Sequence, residues 1–255
     1  MQVDLSGKTV LITGGGSGIG YGIAKAFAKT GANLVLTGRT LSKLEKAKKE
    51  LEESEMKGQV LILSADGSKE EDVKAVVDGA LEKFGRLDVI INNAQNSASG
   101  VMLKDHTTED FDKAIYSGLY ATFYYMKHSY EALKAVKGRV INFASGAGLS
   151  GKSGQSSYAA AKEGIRGLSR VAAAEWGPDG VTVNVICPLA MTEGLAAWRE
   201  AYPELYEKTI SATPMGRFAD SEADVGGLCV FLASDAAAYL TGETFHLMGG
   251  TGMRP

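Results

Sequence analysis

Residues 8–20 read Lys8-Thr9-Val10-Leu11-Ile12-Thr13-Gly14-Gly15-Gly16-Ser17-Gly18-Ile19-Gly20, and this stretch decides the fold. Lys8–Ile12 is a short apolar run of the length of a fully buried parallel strand. Beyond the glycines, Ile23, Ala24, Phe27 and Ala28 recur at helical spacing. Strand, glycine loop and helix together form the context of a dinucleotide site. The glycines let the backbone approach a pyrophosphate, and the start of the helix offers unpaired N–H groups and a partial positive charge. Gly14, Ser17, Gly18, Ile19 and Gly20 are therefore the candidate phosphate-binding residues.

Working outward, Asn33–Thr37 reads as the second strand and runs into Gly38-Arg39-Thr40. A carboxylate there would hydrogen-bond an adenosine ribose 2′-hydroxyl and repel a 2′-phosphate, whereas an arginine accommodates the phosphate. Arg39 thus predicts a preference for NADP(H), with NAD(H) also possible. Stacking on adenine or facing solvent are the other uses of this side chain.

Further along, Tyr158-Ala-Ala-Ala-Lys162 lies thirteen positions after Ser145. Residues four apart share one helix face, so Tyr158 and Lys162 are expected to point the same way. A free tyrosine titrates near ~10, and a neighbouring cation lowers that value. The trio Ser145, Tyr158 and Lys162 would supply a tuned proton donor and acceptor with a hydroxyl to hold a substrate oxygen.

The rest of the chain alternates strand-like and helical runs. Val60–Leu63, Asp88–Ile91, Val140–Phe143, Val181–Ile186 and Thr244–Leu247 read as strands. Ser42-Lys43-Leu44-Glu45 reads as a capping box, and Ser68-Lys69-Glu70-Glu71 as a cap for a helix ending near Gly85. Thr108 to Ile115, Leu119 to Val136, Ser156–Trp176, Glu193–Thr209 and Ser221–Ala233 look helical. This alternation predicts an α/β, doubly wound, Rossmann-like parallel sheet with helices on both faces. Its ligands bind beyond the strand carboxyl ends, where the glycine loop, Ala94, Ser145 and Pro188 all fall.

With 255 residues, 45% of them hydrophobic, and no linker-like segment or internal repeat, the chain is read as a single domain, 1–255. A formal charge of −3 gives no footprint for nucleic acid or an anionic membrane. No stretch approaches the ~20 apolar residues of a membrane span, and the start is no signal peptide. Cys187 and Cys229 are expected buried and reduced, as in a cytoplasmic protein. His106, His128 and His246 have no metal-ligand spacing, so no metal is expected.

The motifs TGGGSGIG, Asn92-Asn93-Ala94, Ser145, Tyr158-Ala-Ala-Ala-Lys162 and Asn184-Val185-Ile186-Cys187-Pro188 follow in this order along nearly the whole chain. Together they resemble the short-chain dehydrogenase/reductase family, and the run Phe231 to Thr244 is similar to the end of its ketoacyl reductase-like members. The resemblance implies NAD(P)-dependent interconversion of an alcohol and a carbonyl. It makes Tyr158 the general acid/base and Ser145 the residue that orients and polarises the carbonyl. Lys162 would lower the tyrosine pKa and hold the nicotinamide ribose. Asp66 and Gly67 would lie near the adenine, and Asn93 and Ala94 near the adenosine ribose and the middle of the cofactor. Pro188, Met191 and Thr192 would lie by the nicotinamide. A homodimer or homotetramer built on the Ser156–Trp176 helix and the helix before the fifth strand is also implied.

The chain departs from the family pattern in three places. Many members carry a fourth catalytic residue, an Asn, where this chain has Gly118, and no Asn occurs from Ser97 to Ile141. The usual Asn-Asn-Ala-Gly ends here in Gln95, whose amide could reach the cofactor, narrow the pocket or face solvent. Pro188 is followed by Leu189 rather than Gly, with Thr192 one place early.

A lid over the pocket is expected at 193–217, where Leu195, Trp198, Tyr202, Tyr206 and Met215 make an apolar and aromatic set that serves equally as core. Gln95, Ser145, Leu189 and Trp198 are the candidate substrate contacts. The leading expectation is an NADP(H)-dependent oxidoreductase interconverting a small-molecule ketone and a secondary alcohol, on an apolar cyclic or lipid-like substrate such as a hydroxysteroid. A 3-oxoacyl thioester reductase is the alternative enzyme, and a non-catalytic NADP(H)-binding sensor the alternative of another class.

Overall fold

The computed structural model describes residues 3–54, 56–191 and 193–251. Seven parallel strands form one sheet: β1 (Thr9–Thr13), β2 (Asn33–Gly38), β3 (Val60–Ser64), β4 (Val89–Asn92), β5 (Arg139–Phe143), β6 (Thr182–Pro188) and β7 (Thr244–Leu247). Their order across the sheet is β3-β2-β1-β4-β5-β6-β7. The strands are continuous apolar runs because both faces are covered. Along β1, Leu11 packs with Val35, Val76 and Leu133 on one side, whereas Val10 and Ile12 pack with Leu34, Leu36 and Phe27 on the other. That is the two-residue period of a pleated strand.

Helices α1 (Gly18–Ala28), α2 (Leu41–Glu52) and α10 (Gly227–Ala233) cover the Val10 and Ile12 side. Helices α3 (Glu70–Phe84), α5 (Ala121–Val136) and α7 (Ser156–Trp176) cover the other. The chain moves outward from β1 to β3 and then returns to place β4 beside β1. Loops leaving β1 and β4 therefore diverge and open a crevice at the carboxyl edge of the sheet.

Several local expectations are corrected. Ser42 does not cap α2, because the helix opens two residues earlier with Thr40 at its N-cap and no side-chain cap bond. Ser68 bonds the Asp66 carboxylate at 2.8 Å instead of capping α3, whose N-cap is Lys69. Between α4 (Thr108–Ala114) and α5 the chain stays helical through a π-helical stretch, Ile115–Tyr120. The run 193–209 divides into α8 (Glu193–Ala201) and α9 (Pro203–Ser211), since Pro203 lacks an N–H and bars helical geometry at Tyr202. A short helix, α6 (Gly146–Ser150), follows Ser145.

Among the described residues no helix is long and apolar enough to cross a membrane.

Candidate active site

Two adjoining cavities, of about 420 and 810 Å3, lie along the crevice and share Ile19 and Asn93 as walls. The first is lined by Gly14, Gly16, Ser17 and Ile19 on the glycine loop and by Arg39, Thr40 and Lys43 after β2. Asp66 and Gly67 after β3 and Asn93, Ala94 and Gln95 after β4 complete it. The second holds Ser145, Tyr158, Lys162, Pro188 and Leu189, with Leu149, Leu195 and Met248 as apolar walls.

The residues of the first cavity fit a dinucleotide. A Cβ at Gly20 would lie 2.3 Å from the Gly14 carbonyl oxygen, so the loop can fold flat onto the start of α1 only with glycine there. Its neighbour Ser17 is extended and makes no side-chain cap, which leaves the first N–H groups of α1 to a ligand. Thr13 fixes the opposite wall. Its hydroxyl accepts from the Asn93 and Ala94 N–H groups at 3.0 and 2.9 Å, and its carbonyl accepts from Asn93 Nδ2 at 3.0 Å. Cationic Arg39 and Lys43 lie at the β2 end, and Gly38 rather than a carboxylate closes that strand. Burial pushes the Asp66 carboxyl up, but hydrogen bonds from Ser68 and the charges of Arg39 and Lys69 outweigh it and hold it low. Gly18 and Gly20 are absent from this lining; Gly20 packs against Gly14 behind the loop.

In the second cavity, Ser145 is extended and forms the N-cap of α6, its Oγ accepting from Ala147 N–H at 3.1 Å. That leaves the serine proton free to donate. Lys162 is buried and donates from Nζ to the Phe143 carbonyl at 2.7 Å, while sitting 5.6 Å from the centre of the Tyr158 ring. Desolvation pushes the Lys162 ammonium down to about 8. Burial raises the Tyr158 pKa above its ordinary value, and the hydrogen bond with Ser145 offsets this only in part. The cost of taking a phenolate out of water is the largest of these effects.

Other predicted residues lie elsewhere. Trp198 packs against Tyr206, with ring centres 6.3 Å apart, so Leu195 is the α8 side chain that reaches the cavity. Met191 is held outside the lining by bonds from its N–H to Ala219 and from Ser221 to its carbonyl, at 3.0 and 3.1 Å. Thr192 lies outside the described residues. Gln95 folds over Gly118, where a Cβ would come within 2.7 Å of its amide. Among the described residues no cluster of His, Cys, Asp or Glu could hold a metal ion.

Thr13 and Arg166 were not legible as site residues. Arg166 carried one signal: it falls one further turn along the α7 face that bears Tyr158 and Lys162. It is 3% exposed and contacts the Ser145 carbonyl from below.

A nucleotide-binding crevice leading to a Ser-Tyr-Lys trio, with its lysine buried and its two hydroxyls facing the cavity, defines an NAD(P)(H)-dependent oxidoreductase acting on a CH–OH group. A family model described as enoyl-(acyl carrier protein) reductase matches residues 14–252. A 12alpha-hydroxysteroid dehydrogenase from a Clostridium species is 58% identical over 98% of both chains. A 3-oxoacyl-[acyl-carrier-protein] reductase of Staphylococcus aureus is 33% identical, over 95% of this chain and 97% of the other. The crystal structure of levodione reductase superposes with a TM-score of 0.90 at 33% identity, covering 96% of this chain and 97% of that one. The chain belongs to the short-chain dehydrogenase/reductase family.

Proposed function

We propose that the protein is an NADP(H)-dependent hydroxysteroid dehydrogenase, interconverting a secondary alcohol and a ketone on a rigid apolar substrate. The observation that carries this reading is the cavity in front of Ser145 and Tyr158, where Leu149, Leu189, Leu195 and Met248 give an apolar wall alongside the polar Ser99, Lys152 and Gln155. The 58% identical relative, a 12alpha-hydroxysteroid dehydrogenase, supports the same substrate class.

NADP(H), when bound, supplies or takes up the hydride. The glycine loop and Ser17 would hold its pyrophosphate, Asp66 and Gly67 the adenine side, Asn93 and Ala94 its middle, and Pro188 its nicotinamide side. Arg39 would pair with the 2′-phosphate, and Lys162 would hold the nicotinamide ribose. Ser145 donates a hydrogen bond to the substrate oxygen, fixing the carbonyl against Tyr158. In reduction the neutral phenol of Tyr158 gives its proton to that oxygen and becomes a phenolate, and in oxidation the phenolate takes the alcohol proton. The segment 193–217 acts as the lid, with Leu195 as its contact to the substrate.

We further infer a cytoplasmic homodimer or homotetramer built on α5 and α7. Tyr116 and Tyr120 in the π-helical stretch and Phe123 at the start of α5 are exposed, and Val171 on α7 is 55% exposed. A monomeric mass in solution would count against it.

The test is turnover on a panel of hydroxysteroids, keto-steroids and 3-oxoacyl thioesters, with wild type beside Tyr158→Phe. Steroid turnover that vanishes in the variant is the expected result. Preference for the thioester would move the assignment to an acyl reductase. Tight NADPH binding without any turnover would move it to a cofactor sensor.

A further inference from the structure

The α7 face that carries Tyr158 and Lys162 presents a third polar side chain one turn on. Arg166 has only 4% of its side chain exposed, so its guanidinium must be satisfied internally. Nε and Nη2 donate to the two carboxylate oxygens of Glu163, at 3.1 and 3.0 Å. Nη2 also faces the Ser145 carbonyl at 3.5 Å and the Cys187 sulfur at 3.6 Å. Lys162 and Arg166 thus reach carbonyls two residues apart, Phe143 and Ser145, at the end of β5. In an extended chain such carbonyls point to the same side.

The Glu163 half of the pair lies directly beneath the turn that follows Ser145. A Cβ at Gly148 would stand 2.5 Å from Glu163 Oε1, so α6 rests on this carboxylate. Cys187 precedes Pro188 on β6 and is fully buried, and burial pushes its thiol up, so it meets the guanidinium as a neutral group. A single cation therefore ties α7 to the residue before Pro188, to the Ser145 backbone and to the turn that Ser145 caps. A guanidinium suits this, because its planar set of donors can serve several acceptors at fixed angles.

We propose that Arg166, oriented by Glu163, is a positioning residue that acts through Ser145, holding its backbone so that the hydroxyl faces Tyr158. This rests on the reading of Ser145 as the group that fixes the substrate carbonyl.

The experiment is a double-mutant cycle on steroid turnover with Arg166→Met, Ser145→Ala and the two combined, alongside NADPH affinity and thermal unfolding. In the wild-type background R166M should lower kcat by about tenfold or more while NADPH affinity stays within about twofold. In the S145A background the same change should cost less than about twofold, because there is no hydroxyl left to position. Arg166→Lys keeps a cation but loses the fork, and should give an intermediate kcat with the same dependence on Ser145. Should R166M fail to fold, the cycle is read on R166K.

An equal loss in both backgrounds would show a general structural role and overturn the inference while leaving the function of Ser145 intact. If S145A alone costs less than about tenfold, the reading of Ser145 itself fails, and this inference goes with it.

Discussion

The carboxamide of Gln95 lies in the volume a side chain at Gly118 would fill: a Cβ there would stand 2.7 Å from both Cδ and Nε2 of Gln95. Gly118 belongs to the π-helical stretch Ile115–Tyr120, and Gln95 Nε2 points to the Ala114 carbonyl at 3.4 Å, at the start of that stretch. Gln95 Oε1 is buried with no partner among the described residues. Gln95 and Gly118, two of the three departures from the family pattern, are thus one feature. An amide enters from the β4 loop into the space that a side chain at Gly118 would take. Gly118→Ala should therefore destabilise the wild type by about 1 kcal/mol, the low end of overpacking, because the Gln95 amide must shift. In a Gln95→Ala background the same substitution should be neutral or stabilising, as Ala normally is in a helix. Thermal unfolding of the four proteins reads this, and equal losses in both backgrounds would refute the packing relationship.

Cofactor preference should follow Arg39. Charge-assisted bonds to a phosphate contribute about 1.5–3 kcal/mol, so Arg39→Ala should weaken NADPH binding by roughly tenfold to a hundredfold. NADH binding should change far less, which fluorescence titration with the two nucleotides can measure. Equal weakening of both would mean that Arg39 stacks on the base.

The two reaction directions should respond oppositely to pH. Oxidation needs Tyr158 without its proton, and burial holds that proton on above the ordinary phenol range. Its kcat/KM should climb with pH without levelling below about pH 10. Reduction uses the neutral phenol together with the Lys162 ammonium, which titrates at about 8. Its kcat/KM should stay flat at lower pH and fall above that value as the lysine loses its charge. A plateau in oxidation near neutral pH would mean that Tyr158 is not the group being titrated.

Leu195 and Trp198 should separate in their effects. Leu195 lines the cavity, so Leu195→Ala should raise KM for a steroid by roughly tenfold, the scale of one buried side chain. Trp198 packs on Tyr206, which packs in turn on Phe218, so Trp198→Ala should lower thermal stability first. A larger KM effect from Trp198 would show that the lid rearranges on binding.

From sequence alone, the β1 run, the glycine loop and α1 determined the fold, because burial on both faces and close backbone approach are written into neighbouring residues. The trio was legible for a related reason: Tyr158 and Lys162 are four apart on one helix, and helix geometry fixes their common face. Local patterns were least reliable at the edges of elements. Ser42 and Ser68 carried capping signatures that the chain does not use: Ser42 lies inside a helix capped at Thr40, and Ser68 bonds Asp66 two residues back.

Only the tertiary structure decided what lies between distant segments. Gln95 meets Gly118, Arg166 meets Ser145 and Thr13 meets Asn93 across gaps in sequence that no period encodes. The direction of the Tyr158 pKa depends on packing in the same way. The helix face shared with Lys162 could be read from spacing, but the burial that raises the phenol is a property of the packed molecule.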